Sequence, residues 1–223
     1  MSDEPGSDRR SPVGEPVVRA DPEITGDRAA EAIDFDPDDP DSVAEAATVV
    51  HRFATGDVGG DDHVLMLRGA AACAALVRGT GSYKHAAERA GDGVSVSFIR
   101  KWARVHDLPQ AIRRHVARGH IPPTAAKHIA RVGGRDRYLL AWGAIDGGLT
   151  VRDVRAIASA VNDGTPIEAA LREHDIVPGR ITLDLPIDAY VALRREASMR
   201  NEGPGSIVGT ALEATDRDDT RDA

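Results

Sequence analysis

Apolar positions recur at helical spacing along most of this chain, and the periodic stretches are separated by Gly, Pro, Ser and Asp. Residues 1–40 lack that periodicity and are rich in Asp, Pro, Gly and Ser, which predicts a disordered acidic arm. After Pro40, Ser42 and Glu45 have the spacing of a capping box. Val43, Ala47, Val50 and Phe53 follow on one face, predicting a helix that ends near Gly56. Asp57, Asp61 and Asp62 lie in the next break without the spacing of a calcium loop and read as a polar turn. Val64 to Val77 is apolar apart from Arg68 and predicts a buried helix over 63–78, with Cys73 as a small core residue. The run is shorter than the roughly 18 to 20 residues that a membrane span requires.

Glycines 79 and 81 close that helix, and Ser82 to Gly91 reads as a short helix stopped by glycine. From about Ser95 to His106, Phe98, Ile99, Trp102, Val105 and His106 fall on one side of a helix, and Ser97, Arg100, Lys101 and Arg104 on the other. Pro109 opens a further helix through Arg118, packed by Ile112 and Val116. Helices over about 123–132, 135–146 and 151–162, the last capped by Thr150 with Asp153, and a short one from Thr165-Pro166 to about Asp175 complete a helical domain over 41–176. From Gly179 the period drops to two. Ile181, Leu183 and Leu185 alternate with Arg180, Thr182 and Asp184, a strand pattern. A lone strand leaves its backbone groups unpaired, so the pattern calls for a partner. After Pro186 come an amphipathic helix to about Arg200 and a short helix from Ser206. The expected fold is mainly α: a multi-helical domain, then a short strand and two helices over 179–214, then an acidic disordered tail over 215–223.

Charge changes this picture. The chain carries 36 Asp and Glu against 28 Lys and Arg, which at face value disfavours a polyanionic partner. Residues 78–137, however, hold thirteen cations against Glu88, Asp92, Asp107 and Asp136, a net of nine positive charges, whereas the first fifty residues carry ten net negative charges. A basic centre between an acidic arm and an acidic tail points to nucleic acid. Lysine occurs only at 84, 101 and 127, a scarcity that resembles the composition of proteins from salt-loving organisms, in which surface acidity serves solubility.

A short helix, a glycine-bearing turn and a second helix with a cationic outer face are the parts of a helix-turn-helix near residues 82–106. The second helix must keep its apolar side on the domain while its other side reaches base edges and phosphates. The segment Gly93-Val94-Ser95-Val96-Ser97-Phe98-Ile99-Arg100-Lys101-Trp102-Ala103-Arg104-Val105-His106-Asp107-Leu108-Pro109 also resembles the DNA-binding domain of the ParB partitioning-protein family. The likeness continues through Arg118-Gly119-His120-Ile121-Pro122-Pro123-Thr124-Ala125-Ala126 and Gly147-Gly148-Leu149-Thr150-Val151-Arg152-Asp153-Val154, covering about 79–162. The chain departs from that family by an extra pair of residues around Asp92 and Gly93. It also lacks the family's N-terminal nucleotide-binding domain, so CTP-dependent clamping is not carried over.

The segment Arg180-Ile181-Thr182-Leu183-Asp184-Leu185-Pro186 with its two following helices resembles a ribbon-helix-helix unit. That resemblance implies a homodimer through 179–214, with Ile181, Leu183 and Leu185 pairing the chains and Arg180 and Thr182 facing outward toward DNA. Asp184 on the same face disfavours phosphate, which leaves open a unit that only dimerises.

The candidate DNA contacts are therefore Lys84, Ser95, Ser97, Arg100, Lys101, Arg104, Arg113, Arg114 and Lys127 in the helical domain and Arg180, Thr182 and Ser206 beyond it. His85, His106, His115, His120 and His128 have no His-x-x-x-His pair, so no metal site is expected, and Trp102 and Trp142 sit at core positions. With no nucleophile beside a base and no nucleotide loop, neither catalysis nor a cofactor is expected. The leading expectation is a double-stranded DNA binder, either a transcriptional regulator or a ParB-like partition factor, in the cytoplasm on the nucleoid, since no secretory signal or membrane span is read. A protein–protein adaptor built on the same helical domain is the alternative.

Overall fold

The computed structural model describes residues 35–56 and 62–219. Eleven helices occur among them: α1 Pro40–Thr55, α2 His63–Thr80, α3 Tyr83–Ala90, α4 Val96–His106, α5 Gln110–Ala117, α6 Pro123–Ile129, α7 Gly134–Asp146, α8 Val151–Asn162, α9 Ile167–Arg172, α10 Ile187–Arg200 and α11 Pro204–Asp219. The chain divides after Gly179 into two units, the first holding α1 to α9 and the second α10 and α11.

Helix α2 is the centre of the first unit. Gly69, the run Ala70 to Ala75 that includes Cys73, and Leu76 are all buried, and such small side chains let neighbouring backbones approach closely. Helix α1 packs on one side of this stripe and α4 on another, while α3 and α5 also touch it. Phe53 of α1 meets Phe98 and Trp102 of α4 with ring centroids 5.3 and 4.7 Å apart. The ring of Phe53 lies directly over Gly69, where a Cβ would fall 2.7 Å from two of its carbons. A larger residue at 69 therefore collides with the aromatic contact that ties α1 to α4. Beyond this layer α6 packs on α8, and α9 closes against α7 and α8. Burial pushes the Cys73 thiol well above its ordinary range, so it stays protonated and inert.

Local signals set most helix ends. Ser82, Ser95 and Thr150 each accept a hydrogen bond from the backbone amide three residues on, and Asp153 returns the bond to the Thr150 amide. The expected capping box at Ser42 does not form. Helix α1 begins earlier because Asp39 accepts from the amides of Asp41 and Ser42 with Pro40 in the first turn, and the Ser42 hydroxyl accepts from Asp36 instead. The expected acidic arm lies outside the described residues up to position 34. Phe35 is already buried in the core, with the Arg68 guanidinium 5.9 Å from its ring centroid.

In the second unit, the strand expected over 180–185 is not present, and no strand occurs among the described residues. Arg180 to Leu185 makes no backbone–backbone hydrogen bond with another segment, because no second extended segment lies alongside it. Two-residue alternation specifies two faces but supplies no partner for the backbone. Helices α10 and α11 pack on each other, and α11 continues through residues 215–219 of the expected disordered tail.

The C-terminal end of α4 carries a charged joint. Arg78 approaches Asp107 at 3.5 Å, and Arg113, an expected DNA contact, is instead only 2% exposed. Its position beside Ile112 on the short α5 turns it toward the core, where its charge acts on both His106 and Asp107. Burial, reinforced by Arg113 and Arg78, holds His106 down at about 3. Burial raises the Asp107 carboxyl against the opposing pull of Arg78, Arg113 and Arg137.

Two measurements check this packing. Gly69→Val is expected to lower unfolding free energy by about 1–3 kcal/mol through overpacking against Phe53, read from urea denaturation midpoints. His106 protonates in the unfolded chain near its ordinary value but not in the folded one, so its contribution to stability is full above about pH 6.5 and is lost as pH falls toward 3. His106→Gln should flatten the acid side of the stability profile by on the order of 1 kcal/mol per pH unit between pH 6 and 4. An unchanged slope would show that the imidazole already accepts a proton in the folded state.

Candidate nucleic-acid interface

The two helices expected to form a helix-turn-helix are α3 and α4, joined over Gly91 to Ser95. The Gly91 amide donates to the carbonyls of Ala87 and Glu88, and the Val94 amide donates to Gly91. Gly91 and Gly93 have φ of 93° and 86°, a region that a side chain enters only with strain. Asp92 and Gly93 lie inside this turn. Helix α3 packs on both α2 and α4.

Helix α4 divides as its sequence demands. Ile99, Trp102, Ala103 and Val105 are buried, whereas Ser97, Arg100, Lys101 and Arg104 are exposed. The Arg100 guanidinium stands 5.3 Å from the centroid of the Tyr83 ring, which links the cationic face of α4 to the start of α3. Ser95 lies at the mouth of the helix, with its hydroxyl committed to the cap. Lys84 is exposed on α3 and pairs with Glu88 at 3.8 Å, a solvent-screened contact that a phosphate can displace at little cost. Arg114 is exposed on α5.

Helix α6 extends the positive surface. The Lys127 ammonium sits 5.0 Å from the centroid of the Trp102 ring. Burial, with the charge of Lys101 nearby, lowers the affinity of Lys127 for its proton. Next to it, His128 is held below its ordinary value by burial first and then by Arg131, Lys127, Arg155 and Lys101. Those five cationic or titratable groups come from α4, from α6 and the residues just after it, and from α8. Arg131 and Arg155 are exposed, and the Nδ1 of His128 is buried with no hydrogen-bond partner among the described residues.

The sequence puts Lys101 and Lys127 among the candidate contacts, reads His128 only as one of a set of satisfied or phosphate-facing histidines, and does not single out Arg131 or Arg155, because residues 101, 131 and 155 become neighbours only when α6 docks on α4 and α8. The available signal was the positive balance of 78–137, which ends before Arg155. A second unlooked-for pair is His115 and His120, whose Nδ1 atoms hydrogen-bond at 2.9 Å across the α5–α6 link. No group of three or more His, Cys, Asp or Glu side chains among the described residues is placed to hold a metal.

The remaining expected contacts lie in the second unit. Arg180 and Thr182 are exposed on the extended segment. Ser206 is exposed on the first turn of α11, with its hydroxyl donating to Glu202 at 2.6 Å. Ile181 and Leu183 are 57% and 59% exposed, and Leu185 is exposed as well. No single helix among the described residues is long and apolar enough to cross a membrane.

No curated protein and no solved structure matches the chain. Residues 36–176 match the model of a family of unknown function, DUF7119. That span is more than half of the chain and runs from the residue after Phe35 to the helical unit's last packed side chain, Ile176, and the chain belongs to this family.

Proposed function

We propose that the protein binds double-stranded DNA through α3 and α4, with the exposed face of α4 directed into the major groove. The observation that carries this reading is the division of α4. Its apolar side is locked on α2 and Phe53, and its free side presents Ser97, Arg100, Lys101 and Arg104 to solvent. Arginine and lysine on such a face can reach both guanine edges and phosphates. The likeness of residues 79–162 to ParB-type DNA-binding domains supports the same placement and suggests a regulatory or partition role. The chemistry on this face is recognition, not catalysis.

The reading includes a homodimer formed by the second unit. Of the described residues in that unit, only Ala197 is fully buried, while Ile181, Leu183, Leu185, Ile187, Val191 and Leu212 remain exposed. A pair of helices with one buried alanine has too little apolar burial to hold itself together. A second copy covering these side chains provides the missing core, and two α4 helices on one dimer can engage two half-sites with the added affinity of a bivalent contact. The dimer proposed here rests on the apolar side chains of α10, α11 and the extended segment, without a strand ribbon.

Two outcomes are expected. Replacing Arg100 and Lys101 together with alanine should abolish retention of labelled genomic fragments in a mobility-shift assay at 100 mM salt while leaving helical content by circular dichroism unchanged. Retention in the double variant would rule out α4 as the DNA-reading element. Sedimentation equilibrium of the full chain should give a dimer, and Leu183→Asp with Val191→Asp should shift it to monomer. A wild-type chain that stays monomeric at 100 μM would remove the dimer from the reading.

A further inference from the structure

We propose that the cluster of Lys101, Lys127, His128, Arg131 and Arg155 is a second, phosphate-binding surface that grips the DNA backbone beside the α4 face and takes up a proton at His128 when the duplex docks. The inference rests on the DNA reading above and deepens it.

Three observations carry it. First, packing gathers like charges from α4, α6, the residues after α6, and α8 around one half-buried imidazole. The charged groups acting on His128 are Lys101 from α4, Lys127 on its own helix, Arg131 just beyond it and Arg155 from α8, and no carboxylate stands among them. Helices α2 and α7 also pack on α6 and contribute no charge acting on that ring. Like charges held together without a counter-charge raise the free energy of the unliganded protein, and an arriving anion relieves that repulsion.

Second, no carboxylate neutralises the cluster: Lys101, Arg131 and Arg155 make no ion pair among the described residues, although the chain has eight more acidic than basic residues. Third, the cluster is continuous with the proposed reading face. Lys101 belongs to α4 itself, and the Lys127 ammonium rests over Trp102 of the same helix. A duplex whose groove receives α4 therefore runs its flanking phosphates past α6 and α8.

Proton uptake follows from the same arrangement. Burial first, and then four surrounding cations, hold His128 below its ordinary value in the free protein. Phosphates offset the charge part of that shift, so affinity rises as pH falls through the range between the free and bound values of this group. His115, a further histidine held low in the first unit, lies on α5 beside His120 and Arg118 and outside the cluster.

The test uses the full chain and a 30-base-pair mixed-sequence DNA duplex, with fluorescence anisotropy at several salt concentrations and from pH 8 to pH 5.5. Arg131→Ala with Arg155→Ala is expected to reduce the slope of log affinity against log salt by about 1.8, near 0.9 for each phosphate that the variant no longer neutralises. His128→Asn is expected to remove most of the gain in affinity toward low pH while keeping the binding at pH 8. An unchanged salt slope in the arginine double variant, with wild-type binding intact and Arg100→Ala/Lys101→Ala binding abolished, overturns the cluster proposal and leaves the α4 reading standing. Persistence of the full pH gain in His128→Asn overturns the proton linkage. Absence of wild-type duplex binding at 50 mM salt overturns both readings together, and tighter binding of an RNA duplex of the same length overturns the DNA assignment.

Discussion

The contact between Phe53 and Gly69, with Phe98 and Trp102 packed edge-on and tilted beside it, is the constraint from which the helical unit takes its shape. A ring can occupy that position only because residue 69 has no side chain, and α4 can lie close to α2 only because residues 70–75 are small. Apolar packing of this kind contributes by area removed from water and by close contact, and it tolerates little change in volume. Once α4 is fixed by Ile99, Trp102 and Val105, its opposite side has no choice but to face solvent. The cationic face is therefore a consequence of what the other face buries, and its orientation is as rigid as the core behind it.

Two sets of basic residues surround α4 and are treated by the fold in opposite ways. At the C-terminal end, Arg78 and Arg113 are drawn to Asp107 and keep His106 neutral, so these charges hold the α4–α5 joint. Along the outer face and across α6 and α8, Lys101, Lys127, Arg131 and Arg155 are brought together without a counter-charge. In the first arrangement the charges act on one another inside the fold, and the burial of Arg113 explains why it is not presented to an external ligand. In the proposed reading an anion from outside completes the second, which gives the proposed interface a physical reason beyond the sign of its charge.

The two units also differ in self-sufficiency. In the first, a continuous buried cluster extends from Phe35 to Leu171. In the second, large apolar side chains on both helices and the preceding segment stay exposed, and among its described residues only Ala197 is buried. In the proposed dimer such a unit gains its core from association, and the proposed affinity for DNA would then depend on protomer concentration as well as on salt.

Much of the helical unit was legible in the sequence because its signals are local. Ser82, Ser95 and Thr150 start helices by bonding amides three residues away, glycines at 81 and 91 stop them, and the periodicity of residues 98–105 identifies the buried side of α4 without reference to any other segment. Alternation over 180–185 misled for the complementary reason: a strand exists only through hydrogen bonds to another backbone, and no local pattern supplies one. The inward turn of Arg113 and the meeting of Lys101, His128, Arg131 and Arg155 were likewise decided by tertiary structure, whereas the start of α1 at Asp39 and Pro40 is a local cap that competes with the Ser42 pattern. By itself the sequence determined which stretches become helices and which side of each is apolar, since both follow from neighbours within a few residues. Which charges end up buried, paired or gathered depends on how those helices dock, and only the folded chain decides that.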